Sequence, residues 1–388
     1  METPTNITDL KTAFEYKNNR ELKFTWYIFS LIQHPKLVKI LTYLTDFGIK
    51  HKLPIKTLIK KTVFKVFCSG ENVDEAFGTI KRLHKFNVKS VLDYVSEAEK
   101  SNDAYDLNTQ KIINNINTVK EGTKSDFISL KMTGLEDPDY LTALSESQFF
   151  FAYKRFGLLH KRIQDICSAA AQNNIMVYID AEETWMQHII DHFAEEMMLL
   201  FNKQKVVVFN TLQMYRTDRV QYLKELIEEA SKKGYKPGIK LVRGAYLEKE
   251  TQKAVKEGKP IPVFQTKADT DRSFNDALDI CLAAHDRVCT CIATHNEESI
   301  QFGLKQIDKY NITDHQSKVQ FSQLFGMSDH LTFNLAANGF HASKYLPYGE
   351  VEKAIPYLMR RAEENTSING QMGREVKMLG LELKRRNS

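Results

Sequence analysis

The chain has 388 residues, 42% hydrophobic and 27% charged, which is enough to bury a sizeable core without cross-links. Lys and Arg total 54 against 49 Asp and Glu, a formal charge of +5 that is too small an excess to mark a nucleic-acid binder. The five cysteines (Cys68, Cys167, Cys281, Cys289, Cys291) are scattered, with no CxxC pair, which argues against a disulfide framework or a zinc site and for a reducing compartment. In chain order, residues 1–85 read as helical, with spaced apolar positions such as Leu37, Ile40, Leu41 and Leu44, interrupted at Pro35 and Pro54. The run Phe24 to Ile32 has the length of a signal-peptide core, but Asp9, Glu15 and Glu21 precede it and no small-residue cleavage site follows. No apolar run approaches the ~18 residues of a membrane-spanning helix.

From about residue 88 the rhythm changes. Short apolar or β-branched runs predict strands at Val88–Tyr94, Phe127–Met132, Met176–Asp180, Val206–Asn210, Ile239–Val242, Thr290–Thr294, Val319–Gln323 and His341–Leu346. Amphipathic stretches between them, such as Thr184–Phe201, Val220–Lys233, Ser273–Ala284 and Ser299–Tyr310, predict crossover helices. Strand–helix alternation makes an α/β fold with a parallel sheet, and eight units in ~300 residues suit a (β/α)₈ barrel. An open doubly wound sheet has the same alternation. The absence of GxGxxG and GxxxxGK[ST] speaks against a Rossmann crevice and a P-loop.

Barrel enzymes collect their chemistry at strand C-termini. Here those ends carry Lys131; Asp180, Ala181 and Glu182; Asn210, Thr211 and Gln213; Arg243, Gly244, Ala245 and Tyr246; Thr294, His295 and Asn296; Gln323 and Leu324; and Tyr345. Cations, carboxylates, amides and phenols at the apolar-to-polar switch suit an active site, although loops are polar in any case. After the eighth strand, Tyr357, Arg360, Arg361 and Glu364 fall on one predicted helix. Adjacent guanidiniums suit a carboxylate ligand; an Arg361–Glu364 pair on a solvated face is the alternative. One of Glu182 and Glu183 reads as a helix N-terminal charge. Trp26 and Trp185 read as packing residues, and His295 lacks a partner at metal-ligand spacing.

Eight stretches in order, KMTGL (131–135), YIDAEET (178–184), NTLQMY (210–215), KLVRGAY (240–246), ATHNEES (293–299), FSQLFGM (321–327), YLPYG (345–349) and YLMRRAEEN (357–365), resemble the proline dehydrogenase family across roughly residues 88–370. The resemblance implies a distorted (βα)₈ barrel over residues 86–388, preceded by a helical arm over 1–85, with FAD bound at the strand C-termini. It implies that Arg360 and Arg361 grip the substrate carboxylate, that Lys131 and Glu364 form an ion pair lining the site, and that Asp180, Ala245, Leu324, Tyr345 and Tyr357 surround the ring. For the flavin it implies Asp180, Ala181, Gln213, Lys240, Val242 and Arg243, then Gly244, Tyr246, Thr266 and Lys267. Ala293, Thr294, His295, Asn296, Gln323, Leu324, Arg361 and Glu364 complete that set. Lys240 stands where some bacterial members carry Arg. Catalytic roles fall to Lys131, Asp180, Tyr345, Arg360, Arg361 and Glu364.

The activity so implied is oxidation of L-proline to Δ1-pyrroline-5-carboxylate by hydride transfer to flavin N5, with electrons passed to a quinone and a separate pyrroline-5-carboxylate dehydrogenase taking the product. Hydride transfer needs the substrate amine unprotonated, and nearby cations favour that form. The alternatives are a hydroxyproline dehydrogenase, against which the bulk of Tyr345 speaks, a methylenetetrahydrofolate reductase-like flavin barrel, and a non-enzymatic binding protein. The implied setting is a bacterial cytoplasm or its inner-membrane face, or the mitochondrial matrix in a eukaryote. Phe24 to Phe67 holds eight lysines and one acid, Asp46, for +7, so the rest of the chain carries −2. That basic, aromatic stretch suits either an interfacial segment on an anionic membrane or a helix packed by its apolar face.

Overall fold

A computed structural model of the chain describes residues 6–34, 36–38, 41–43, 45, 51, 54–95, 100–122, 127–147, 154–367 and 371–388. Eight strands, β1 (Lys89–Tyr94), β2 (Phe127–Leu130), β3 (Met176–Ile179), β4 (Val208–Gln213), β5 (Gly238–Val242), β6 (Cys289–Ala293), β7 (Val319–Leu324) and β8 (His341–Tyr348), form a closed barrel in sequence order. The pairings β2–β3, β3–β4, β4–β5, β5–β6, β6–β7 and β1–β8 are all parallel. The closed barrel is the expected fold and excludes the open sheet.

By packing, the chain divides into two compact units, residues 97–322 and residues 1–96 with 323–388. In the first, large aromatic side chains fill the space enclosed by neighbouring strands. Phe127 on β2 stacks on Tyr178 on β3, with centroids 5.3 Å apart, and Tyr178 meets Phe209 on β4 edge-on at 5.1 Å. All three are fully buried, and the Tyr178 hydroxyl bonds Gln320 on β7. Gly238 on β5 belongs to this layer, because an added Cβ there would fall 2.6 Å from the Val208 carbonyl oxygen and 2.7 Å from the Phe209 ring. The helix layer outside is tied on by polar contacts. Asn202, closing the Thr184–Phe201 helix, accepts from Val207 and Val208 backbone N–H and donates to the Val208 carbonyl.

β4 runs to Gln213, three residues past the predicted end at Asn210. Polar residues end a predicted strand, but here Asn210 Nδ2 donates to Asp191 Oδ1 at 3.0 Å and to the Tyr222 hydroxyl at 3.2 Å. Its amide NH2 thus finds both partners inside the fold, and the strand continues. The helix predicted from Ser273 begins six residues earlier, at Lys267, where Thr266 caps it by accepting from Asp269 N–H.

In the second unit, β1 pairs with β8 over six residues, Val91 opposite Tyr345. β8 continues past the predicted Leu346 to Tyr348, held by Ser69 N–H donating to the Pro347 carbonyl at 2.8 Å and by a parallel bridge between Gly70 and Tyr348. The Asn19–Ile32 helix opens with a capping box, Asn18 with Glu21. It buries Leu22, Ile28, Phe29 and Ile32 in a core shared with Phe67, Leu358 and Leu379. That is the packed-face reading of the basic arm; on the same helix Trp26 (39%) and Tyr27 (56%) remain exposed. Residues 35, 39, 40, 44, 46–50, 52 and 53 of that arm lie outside the described residues, and among the described ones no helix is long and apolar enough to cross a membrane. All five cysteines are buried free thiols.

Candidate active site

In the unit of residues 97–322, the layer above the aromatics is ionic. Asp180 follows β3 directly, two residues beyond Tyr178, so both face the same way. Its carboxylate accepts from Lys240 on β5 at 2.6 Å and lies 3.3 Å from Lys131, the residue after β2. Lys240 is buried, with its ammonium 5.1 Å from the Tyr178 ring centroid. Lys131 is about one-third exposed. Two cations thus share one carboxylate, one of them sunk against an aromatic floor. The group joins the ends of the neighbouring strands β2 and β3 to Lys240 in the middle of β5, across β4.

The loop after β2 is held by Glu182. Its carboxylate accepts from Thr133 N–H (3.0 Å) and Thr133 Oγ1 (2.6 Å), while its own backbone carbonyl accepts from Gln213 Nε2 at 2.6 Å. Burial pushes the Glu182 carboxyl above its ordinary range, with the Thr133 bonds opposing. Glu183 is the residue before the Thr184–Phe201 helix and pairs with Lys249, so it takes the expected position at a helix N-terminus.

Arg243, just after β5, is fixed by three donations: Nε to Asp271 (2.8 Å), Nη1 to Thr294 Oγ1 (2.7 Å) and Nη2 to Ser299 Oγ (2.9 Å), with Phe274 under its guanidinium at 4.5 Å. Asn296 caps the Glu297–Lys309 helix. Ala293 ends β6, with Thr294 buried and His295 half-buried behind it. Val242 ends β5, Ala181 is half-buried after Asp180, and Ala245 is exposed. Gly244 has φ +132, and a Cβ there would come 2.4 Å from the Tyr215 ring. Tyr246 precedes the Leu247–Glu257 helix; Thr266 and Lys267 open the next one, Lys267 pairing with Asp271. Asp271 and Ser299 escape sequence reasoning because they stand 28 and 56 residues from the arginine they orient.

In the other unit, Gln323 and Leu324 end β7, and Gln323 Oε1 accepts from Thr332 Oγ1 at 2.8 Å. Tyr345 is buried three residues before the end of β8 rather than near its end. The Val351–Ser367 helix carries Tyr357, Arg360, Arg361 and Glu364. Tyr357 is buried, and the half-buried Arg361, one turn on, sets its guanidinium 5.4 Å from that ring. The side chains of Arg360 and Glu364 lie outside what the structure describes, so the expected Lys131–Glu364 pair does too. Among the described residues Lys131 lies 3.3 Å from Asp180.

The family model described as Proline dehydrogenase matches residues 76–374. The chain is 30% identical to "Proline dehydrogenase 1, mitochondrial" of Dictyostelium discoideum over 98% of its own length and 75% of that protein's. It is 27% identical to the hydroxyproline dehydrogenase of Xenopus laevis, covering 96% of this chain and 89% of that one. Among solved structures it is similar to proline utilization A (PutA) from Bdellovibrio bacteriovorus, inactivated by N-propargylglycine. That match has a TM-score of 0.74 and 23% identity, and covers 93% of this chain and 38% of that longer one.

The shared carboxylate is open to test without any ligand. Asp180→Ala removes the counter-charge nearest the buried Lys240 and should cost about 3 kcal/mol in urea unfolding. Adding Lys240→Met should recover part of that loss. Strictly additive losses would show that the two side chains are uncoupled.

Proposed function

Because the chain belongs to the proline dehydrogenase family of oxidoreductases, we propose that it oxidises L-proline to Δ1-pyrroline-5-carboxylate with FAD as its cofactor and a quinone as acceptor. The observation that carries this reading is the Lys131–Asp180–Lys240 group, with Lys240 held over the Tyr178 ring. The donors available suit a flavin. A held ammonium (Lys240) and an amide (Gln213) match the carbonyl edge of an isoalloxazine, and the side chains around Thr294 and Asn296, with the Thr266–Lys267 helix start, offer donors to phosphates. Arg243, Asp271 and Ser299 keep that part of the surface in one conformation. When bound, FAD supplies the two-electron acceptor that no side chain can.

The chain's own residues then bind and orient. In this reading Arg360 and Arg361 take the carboxylate in bidentate fashion, a task for which Lys is a poor substitute. Tyr357, stacked beneath Arg361, restricts its swing. Leu324 and Tyr345 bound the methylenes of the ring. In this reading the arginine pair disfavours a protonated substrate amine by like-charge repulsion, keeping its lone pair free. Arg361→Met should raise KM for L-proline at least about tenfold in a dye-linked assay, the value of a lost charge-assisted pair. An unchanged KM would contradict the carboxylate role.

Tyr345 carries the choice of ring. Its buried phenol leaves little room for a ring hydroxyl, so wild-type protein should prefer L-proline over trans-4-hydroxy-L-proline. Tyr345→Ser should narrow that preference by about tenfold in kcat/KM. A wild-type preference for hydroxyproline would overturn the assignment.

For the quinone we propose a membrane approach by the arm, where exposed Trp26, Tyr27 and Tyr43 (69%) accompany its lysines. The double variant Trp26→Ser/Tyr27→Ser should co-sediment less with phosphatidylserine-containing vesicles than the parent protein. Equal sedimentation would remove the membrane role.

A further inference from the structure

The second unit contains a buried charge cluster that the proposed chemistry does not use. Lys344 on β8 has a side chain with no exposure at all. Its ammonium meets Asp329 Oδ1 at 2.9 Å and donates to the backbone carbonyls of Met327 and, at 3.4 Å, Leu324. Asp329 opens the Asp329–Ala337 helix directly after Ser328, whose φ of +49° is in the left-handed region, and Ser328 N–H donates to the buried Glu375 at 2.7 Å. The other Asp329 oxygen accepts from the Tyr16 hydroxyl at 2.7 Å and from Lys17 at 2.5 Å. Tyr16 also stacks on Phe333 of that helix, with centroids 4.2 Å apart. Burial works against a charged Asp329, yet Lys17 and Lys344 hold its carboxyl well below the usual range; burial likewise pulls the Lys344 ammonium down. The groups around Asp329 are therefore Lys17 and Tyr16 from the N-terminal arm, Lys344 from β8, the buried His330 next to it on its own helix, and, further off, Glu375 from the C-terminal helix.

This cluster ends on the two residues assigned to the substrate ring. Lys344 immediately precedes Tyr345, and successive strand residues face opposite ways, so anchoring one fixes the direction of the other. Leu324 is reached through its carbonyl, and the next residue, Phe325, donates its N–H to the Tyr345 carbonyl at 2.9 Å. The turn after β7 and the middle of β8 are thus clamped together, and one side of the clamp belongs to a segment more than 300 residues away in the chain.

We infer that Lys17, acting through Asp329 and Lys344, is a positioning residue that sets where Leu324 and Tyr345 hold the substrate ring. The inference rests on the proposed oxidation of L-proline. Without the Lys17 ammonium, Asp329 is shared by Lys344 and Tyr16 alone, and the turn carrying Leu324 relaxes toward a different balance of donors. A misplacement of about 1 Å caused far from the reacting atoms costs up to about 100-fold in rate.

The test measures competitive inhibition of L-proline oxidation by two carboxylates in wild-type protein and Lys17→Met, well below either melting temperature. Tetrahydrofuran-2-carboxylate carries the ring and acetate does not. The expected result is about tenfold weaker inhibition by the ring compound, no change for acetate, and restoration by Lys17→Arg, an effect worth one order of magnitude in binding. Equal inhibition constants for the ring compound in wild type and Lys17→Met would overturn the inference, and so would a parallel loss for both carboxylates. Should Lys17→Met not fold, Tyr16→Phe retains the stack on Phe333 and is judged by the same two constants. Failure of wild-type protein to oxidise L-proline would instead refute the functional reading itself.

Discussion

A parallel sheet closed on itself is the constraint from which the rest follows. Parallel strands can be joined only by crossovers, so successive strands of the residue 97–322 unit release their chains at the same end. The enclosed space must be filled, and Phe127, Tyr178 and Phe209 fill it so completely that β5 needs a glycine, Gly238, beside them. Charged side chains can then enter only above that layer. Burying Lys240 there carries a desolvation cost that Asp180, shared with Lys131, offsets. The cation that suits a flavin is therefore a consequence of how the barrel is packed as much as of which residues line its end.

The other unit solves a similar problem with similar means. Lys344 on β8 is as buried as a core leucine and is matched by Asp329, which also receives Lys17 and Tyr16. In both places a lysine on a strand meets an aspartate from another segment, and the pair fixes backbone as well as charge. Here the aspartate starts a helix after a residue in left-handed conformation, a strained turn that Glu375 and Lys344 stabilise from two sides. The N-terminal arm is consequently part of the core around β8, not merely a basic extension.

Much of this could be read from the chain. Most of the eight strands are legible as short apolar runs, because a buried parallel strand has apolar residues on both faces, whereas β8 (HASKYLPY) has little such signal. The Thr184–Phe201 helix was legible to the residue. Ends were harder where a polar residue finds its partner far away. Asn210 looks like a strand end until Asp191 and Tyr222 are seen to accept from its amide NH2, and β8 looks short until Ser69 and Gly70 extend it. The candidate site divides in the same way. Lys131, Asp180 and Lys240 stand out at strand ends or in KLVRGAY, whereas Asp271 and Ser299 behind Arg243, and Lys17 and Asp329 behind Tyr345, are ordinary polar residues until the fold brings them together. Burial of a lysine such as Lys344 in mid-strand leaves no local pattern to read.

The central claim, that this family member is a flavin-dependent oxidant of L-proline, is tested most directly by the absorbance of the purified protein near the flavin band under anaerobic conditions. The account predicts a yellow protein that L-proline bleaches and NADH does not. A colourless preparation that takes up no FAD, or a yellow one bleached by NADH and indifferent to L-proline, would contradict it.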